Sequence, residues 1–554
     1  MSVLVSKGVR NSIAFESFRI LGVDCVFSCS HHGIIPPEES GIRCCLLQNE
    51  QSAVHAADGY ARATGRPGVV FLTTAAGITN SITGIATAYS DSVPLVVIAG
   101  TPLNPSNSQT AQELDIIGMT MPITKYSFPI NDLDTLQPEL KKALEMSTNG
   151  RPGPVLIEIT KNNIGSPTRE EPGKVLPSKQ DIPQKRWMDI AKEWMEKAKK
   201  PVLFIGGGVI SSGAAIDLRE IVKHSRIPVV SSLMGIGAME AGNPLFLGML
   251  GMHGTYAANK AVHHCDLLIS IGVRFSDRVT GKVSSFSPNS KKIHVDIDPA
   301  EINKIIPADL PIVSDAKEFL FQLKDKLDYE QIRKHADDWV NEAVDWKRTV
   351  PRFDKSNCFL SPQTVIQTLA KYSGDETIVV TDVGQHQIWT AHHYRFSKPR
   401  TFLSSGGLGT MGYGLPAAIG AAAAFPEKTI LCVSGDGSFQ MNLKELVTAV
   451  KYELPLKMAI LNNGYLGMVR QWQELFYNGR YSAVKLSSPH FSKLAEAYGI
   501  PGYYAHSSQE AQQVIEAGLK HHGPVLMEFN VVEEENVYPI VPPNHSNHQL
   551  ILSR

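Results

Sequence analysis

The sequence predicts an α/β protein of three domains, each a mainly parallel sheet flanked by helices. A chain of 554 residues is too long for one hydrophobic core. Short apolar runs rich in β-branched residues alternate with helix-length segments of 3-4 apolar spacing, the pattern of strands buried on both faces between crossover helices. Two polar, proline-bearing stretches, Asn162 to Gln184 and Lys347 to Pro362, interrupt the alternation. The expected domains are 1–165, 185–345 and 360–554.

In chain order the strand candidates are VVFL, PLVVIAG and PVLIEIT in the first part, then PVLFIGGG, DLLISIGV and KKIHVDID in the second. ETIVVTD, KTILCVSGDG, LKMAILNN and PVLMEFNV follow in the third. LKELVTAVKYE and SKLAEAYG carry helical spacing. The apolar stretch from Leu408 to Phe425 is broken by glycines and Pro416, so it reads as a buried helix, not a membrane span.

A hydrophobic share of 43%, 19% charged residues and a net charge of -1 give no pull toward nucleic acid or a membrane surface. The opening residues lack the apolar core and small-residue cleavage site of a secretory signal, so a cytoplasmic location is expected. The seven cysteines form no C-x-x-C pair, which argues against a disulfide framework or a zinc site.

The chemistry concentrates where strands end. TILCVS runs into Gly435-Asp436-Gly437-Ser438, with a helix expected just beyond, from Asn442. Glycines let the backbone approach a phosphate, and the aspartate offers a hard oxygen to Mg²⁺. LKMAIL ends in Asn462-Asn463, and Asn463 lies 27 residues after Asp436, the length of one helix plus one strand. Such a spacing returns the chain to the neighbouring strand end, where open α/β sheets bind ligands. GDG followed by NN at this distance is the motif of thiamine-diphosphate enzymes.

The resemblance extends beyond that motif. GDGSFQMNLKELVTAV, LNNGYLGMVRQWQELFY, LGTMGYGLPAAIGAA, LGMHGTYAAN and ENVYPIVPP are similar to the catalytic subunits of the acetohydroxyacid (acetolactate) synthase family. The similarity covers nearly the whole chain and thins before residue 45. It implies the thiamine-diphosphate-binding fold: a pyrimidine-binding first domain, a central FAD-binding-like domain and a diphosphate-binding third domain. It also implies decarboxylation of pyruvate and ligation of the fragment to a second 2-oxo acid, with thiamine diphosphate, Mg²⁺ and a structural FAD as cofactors. Expected partners are a second copy of the chain, as homodimer or homotetramer, and a small regulatory subunit.

Residue by residue, the resemblance makes Asp436, Asn463 and the carbonyl of Tyr465 the metal ligands. Gly435, Gly437 and Ser438, with Gly384, Gln385 and His386, hold the diphosphate. Met411 matches the apolar wedge that bends the cofactor, and Glu50, in a stretch similar to E-x-x-A-x-x-x-A-x-G-Y-A-R, matches the activating glutamate. Arg151, His253 to Arg274, and Asp296 to Asp315 match the FAD site. Arg278 matches the arginine that holds the second substrate's carboxylate, and Trp472, with Met468 and Val469, the residues that select it.

The first part departs from the family. Ser28-Cys29-Ser30-His31-His32-Gly33 replaces Gly-Tyr-Pro-Gly-Gly-Ala, Pro36-Pro37 forbids a regular helix there, and Thr74-Ala75-Ala76-Gly77 stands for the loop S-G-P-G. Thr101 and Ala111 replace a glutamine and a phenylalanine. Related lyases and decarboxylases carry a proton donor in the early loop, so His31 and His32 are candidates for that role. The second reading is therefore a diverged C-C lyase, hydrolase or decarboxylase, and the third a non-catalytic assembly subunit, which the joint presence of Glu50, Asp436 and Asn463 opposes.

Overall fold

The computed structural model describes residues 18–29, 41–100, 114–130, 135–159, 184–348 and 360–553. His31, His32, Thr101 and Ala111 lie outside them.

Three six-stranded sheets follow one another, and every named strand pair is parallel. The first contains β1 (Cys25–Ser28), β2 (Arg43–Leu46), β3 (Gly68–Leu72), β4 (Leu95–Gly100), β5 (Tyr126–Ile130) and β6 (Pro154–Ile159). The second contains β7 (Pro201–Ile205), β8 (Val229–Ser231), β9 (Phe246–Met249), β10 (Leu267–Ile271), β11 (Lys291–Asp296) and β12 (Leu310–Val313). The third contains β13 (Ile378–Thr381), β14 (Phe402–Leu403), β15 (Ile430–Gly435), β16 (Leu456–Asn462), β17 (Gly502–Ala505) and β18 (Val525–Asn530).

The first sheet runs β2-β1-β3-β4-β6-β5 and the third β14-β13-β15-β16-β18-β17, so the two domains share one topology. In each, the chain reverses direction across the sheet between its first and third strands. That switch point opens a crevice beyond the strand ends. The middle sheet, read as β9-β8-β7-β10-β11-β12, has the 3-2-1-4-5-6 order of dinucleotide-binding folds, with its switch point between β7 and β10.

Cores form on both faces of each sheet, as strands buried on two sides require. One core is common to the first and third domains and surrounds two helices, Glu50–Thr64 and Gly414–Ala424. The second helix realises the apolar stretch after Leu408, although residues 408–413 are turn and loop. No helix among the described residues is long and apolar enough to cross a membrane. Six described cysteines are free.

Candidate functional site

β15 and β16 are paired with Gly435 opposite Leu461, so Asp436 leaves one strand beside the point where Asn462 and Asn463 leave the other. The helix begins at Asp436 itself and runs to Gln440, not from Asn442 as the sequence suggested. The reason lies in Asn442, which takes φ -132° and ψ 24° and ends that helix, and a 3-10 turn (Leu443–Glu445) and a second helix (Leu446–Lys451) follow. Asp436 therefore heads a helix N-terminus, where backbone N–H groups favour an anion.

Asp436 is buried, and Ser488 Oγ donates to its Oδ2 at 2.9 Å. Burial pushes its carboxyl up to about 6. Asn463 is buried too, its Nδ2 directed at Gln385 Oε1, 3.5 Å away. Asn462 is a brace, donating to Glu528 Oε1 at 2.9 Å. The antiparallel bridge of Tyr465 with Lys485 is closed by Leu466 N to Val484 O and Leu486 N to Gly464 O, bonds that do not use the Tyr465 carbonyl. Asn463 Oδ1 accepts from Tyr465 N at 3.2 Å, and an aspartate, an amide and a carbonyl offer oxygens of the kind Mg²⁺ takes.

The segment after β13 reaches the same crevice. His386, at the start of the Gln385–His393 helix, puts Nδ1 3.0 Å from where a Cβ on Gly435 would stand, so the two motifs touch. It is buried, and burial pulls its pKa down to about 3, leaving a neutral ring whose Nε2 has no partner. A buried, unpaired ring nitrogen beside glycines and a helix N-terminus fits a phosphate oxygen. Ser438 Oγ lies 3.0 Å from Ser434 Oγ.

Asp382, just upstream, organises the Met411 turn. Its Oδ1 accepts from Gly412 N at 2.9 Å and its Oδ2 from Gly414 N at 2.8 Å, while burial raises the carboxyl to about 6. Met411 is half-buried ahead of Gly412, which has φ +87°. On the Gly467–Phe476 helix, Met468 packs on the third domain's core, Val469 is exposed, and half-buried Trp472 meets Phe476 edge to face at 5.2 Å.

Glu50 opens its helix behind the cap Asn49, whose side chain accepts from Gln51 N and Ser52 N. Asn80 Nδ2 donates to Glu50 Oε2 at 3.2 Å, and a Cβ on Gly77 would stand 2.9 Å from Oε1. Residues Thr74 to Gly77, expected as a loop, form the cap and first turn of the Ala75–Ser90 helix, because Thr74 Oγ1 accepts from Gly77 N at 2.9 Å. That turn carries Gly77 to the carboxylate.

In the middle domain the tight contact of Gly206 and Gly208 with Gly272 marks the switch point, and Arg274 emerges beside it. Arg274 is held below the usual guanidinium range by burial and by the nearby charge of Arg151. Arg151 binds Asp298 at 3.2 Å and Glu301 at 3.0 Å. Asp296 closes β11, its carboxyl raised to about 6 by burial, which suits an acceptor for a hydroxyl. The carbonyl of His253 accepts from His392 Nε2 at 2.6 Å, and its own ring is neutral through burial. Asp315 caps the Ala316–Lys324 helix, accepting from Lys317 N and Glu318 N. Arg278 is exposed.

The structure thus gathers Gly384 to His386, Asp436 to Ser438 and Asn463 to Tyr465 in one crevice, and Arg151, Arg274 and Asp296 in another. Sequence reasoning missed Asp382, Asn442 and Ser488. Asp382 is signalled only by its place before Gly384, and Ser488 by nothing local.

The chain is similar to known proteins in all three of its domains. The N-terminal TPP binding domain of the thiamine pyrophosphate enzymes matches residues 13–119, their central domain residues 188–323 and their C-terminal TPP binding domain residues 382–529. The acetolactate synthase isozyme 3 large subunit of Escherichia coli (strain K12) is 43% identical over 97% of this chain and 95% of its own length. The acetolactate synthase large subunit of Haemophilus influenzae is 40% identical over 97% of both chains, and Escherichia coli isozyme 2 is 41% identical over 97% of this chain and 98% of its own. With all three domains matched and relatives aligned over nearly their full length, the chain belongs to the acetolactate synthase large-subunit family of thiamine pyrophosphate enzymes.

Proposed function

We propose that the chain is a thiamine-diphosphate-dependent carboligase that decarboxylates pyruvate and joins the two-carbon fragment to a second 2-oxo acid. The observation that carries this is the crevice holding Asp436, Asn463 and His386, with Glu50 placed at the N-terminus of its own helix, in a chain similar end to end to acetolactate synthases. That similarity favours carboligation over the lyase reading.

When bound, thiamine diphosphate supplies the nucleophilic carbon and the electron sink for decarboxylation. Asp436, Asn463 and the Tyr465 carbonyl would hold Mg²⁺, and Gly384, Gln385, His386, Gly435, Gly437 and Ser438 the diphosphate. Glu50 would hold a proton at the pyrimidine nitrogen, and Met411 would pack between the rings. Arg278 would orient the second carboxylate, with Trp472, Met468 and Val469 forming the wall that selects its side chain. The dinucleotide-type strand order, with Arg274 beside its switch point and the charges of Arg151 and Asp296 near Arg274, supports a bound FAD, which would play a structural part. His253 and Asp315 serve that site through the folding of its loops.

The domains act as a pyrimidine-binding unit over 1–165, an FAD-binding unit over 185–345 and a diphosphate-binding unit over 360–554. The working assembly is a cytoplasmic homodimer or homotetramer. The relatives are named large subunits, which supports a small regulatory subunit as partner. In the second reading, a lyase, hydrolase or decarboxylase, His31 or His32 would supply the proton.

The test is product analysis after incubating purified protein with pyruvate, thiamine diphosphate, Mg²⁺ and FAD. Acetolactate is expected. Acetaldehyde alone, or untouched pyruvate, would overturn the assignment in favour of a lyase.

A further inference from the structure

Gln471 is fully buried in the Gly467–Phe476 helix, one residue before Trp472. Its side-chain amide lies against the backbone of Val537: Nε2 donates to Val537 O at 3.1 Å and Oε1 accepts from Val537 N at 2.8 Å. A backbone carbonyl only accepts and an N–H only donates, so this amide has one possible orientation. Its Oε1 also accepts from Gln385 Nε2 at 2.9 Å, and the same Nε2 donates to the Glu535 carbonyl at 2.9 Å. Arg470, buried as well, holds that carbonyl and Asn536 Oδ1 through Nη2, at 3.2 and 2.5 Å. With Nε2 engaged twice, Gln385 turns its Oε1 the other way, toward Asn463 Nδ2 at 3.5 Å. The bare Gly467 lets these two amide ends meet, since a Cβ there would collide with Gln385 Oε1 and stand 2.8 Å from Asn463 Nδ2. Asn463 Oδ1, on the far side, accepts from Tyr465 N and keeps a second lone pair.

We propose that Gln471 is a positioning residue for the metal ligand Asn463: three buried amides, Gln471, Gln385 and Asn463, pass one orientation from the Val537 backbone to the metal site. The chain of bonds turns Asn463 Nδ2 toward Gln385 and leaves Oδ1 for the ion. An inverted Asn463 amide would present an NH₂ group, which has no lone pair to offer a cation. Gln471 itself touches neither metal nor cofactor in this role. Every link lies within the third domain of one chain, so the orientation is set without a second subunit. Partners that orient a metal's ligands govern about 10–100-fold of its affinity. The proposal rests on the reading of Asp436 and Asn463 as Mg²⁺ ligands given above.

The experiment compares the full-length parent with Gln471→Met, Gly467→Ala, Gln471→Met/Gly467→Ala and Asp436→Ala. Affinity for Mn²⁺ is read from the EPR signal of the free ion with thiamine diphosphate saturating, and the melting temperature of the cofactor-free protein is measured alongside. Gln471→Met keeps the length of the side chain but removes both amide groups. It should weaken Mn²⁺ binding about tenfold or more. Gly467→Ala presses on the far ends of two flexible side chains, so it should fold, and it should weaken Mn²⁺ binding by a similar factor, about tenfold. The double variant should match the weaker single variant, since both changes break one chain of bonds. Additive losses would mean two separate effects and overturn the proposal. If Gln471→Met does not fold, Gly467→Ala decides alone. Lower melting temperatures with parent-like Mn²⁺ affinity also overturn it, as does a parent-like Gly467→Ala beside a weakened Gln471→Met, because the contact of Gln385 with Asn463 would then transmit nothing. Asp436→Ala separates the two ideas. Parent-like Mn²⁺ binding in Asp436→Ala sinks the reading of the metal site, whereas loss there with untouched Gln471→Met and Gly467→Ala sinks only the positioning role.

Discussion

Gly420 lies so close to Ala56 that a Cβ on it would stand 1.7 Å from the Ala56 carbonyl oxygen. The relationship is reciprocal, because a Cβ on Gly59 would stand 2.0 Å from the Ala417 carbonyl. Each glycine is three positions from the alanine that the other helix touches, so the Glu50–Thr64 and Gly414–Ala424 helices meet through matched small-residue faces. Both positions are backbone against backbone, with no flexible side chain to yield. Gly420→Ala is expected to force the helices apart and cost about 1–3 kcal/mol or more, read as a lower melting temperature. A melting curve identical to the parent's would show that the contact tolerates a methyl group.

Arg62 joins the same interface by charge. Its Nε donates to Asp58 Oδ1 at 2.5 Å, its Nη2 to Asp91 Oδ2 at 2.8 Å and its Nη1 to the Ser404 carbonyl at 2.9 Å. Both carboxylates are fully buried, and Asp91 also accepts from Gly406 N and Gly407 N. Arg62→Leu would strand two buried carboxylates and is expected to cost about 3–5 kcal/mol. Chemical denaturation of the variant measures it, and a cost under about 1 kcal/mol would refute the account.

His55 supplies a pH dependence. Burial, with a smaller contribution from Arg62, pulls its pKa down to about 3, and its ring packs edge to face on Tyr413 at 5.4 Å. Unfolded, the same group titrates at its ordinary 6.5. Its contribution to stability is therefore present above pH 6.5 and drains away as pH falls toward 3, at up to about 1.4 kcal/mol per pH unit. In His55→Gln the deficit relative to the parent should shrink steadily from pH 7 to pH 4. A deficit that stays constant over that range would mean that His55 does not titrate on unfolding.

The strands that alternation made legible are the interior ones. VVFL, DLLISIGV and LKMAILNN became β3, β10 and β16, which are covered on both faces and so carry unbroken apolar runs. The edge strands β2, β5, β9, β12, β14 and β17 were not read from sequence. They are short or mixed, as RCCL and GYYA show, because half of their surroundings is not core. The metal motif was legible because strand-end chemistry at one-crossover spacing is local. The long-range pairs, Asn442 with Gly412 and Ser52 or Ser488 with Asp436, were not, since no spacing rule foretells which loop a fold will lay across a site.

Gly77 offers the most specific check on Glu50. A Cβ there would stand 2.9 Å from Glu50 Oε1, 3.0 Å from Glu50 Cγ and 3.0 Å from Thr74 Oγ1. Two of these neighbours belong to the carboxylate side chain, which can swing, so the protein can relieve the clash without unfolding. The price is a displaced carboxylate and a stretched bond from Asn80. Gly77→Ala should therefore fold, bind thiamine diphosphate and Mg²⁺ like the parent, and turn over about a hundredfold more slowly, since a shift of about 1 Å in a reacting group costs that much. Glu50→Gln sets the floor, because loss of general acid-base catalysis removes about 10²–10⁴ in rate. A fully active Gly77→Ala would mean that the position of the Glu50 carboxylate in this structure does not govern the reaction; a slow enzyme with intact cofactor affinity would tie the rate to the place that Gly77 leaves open.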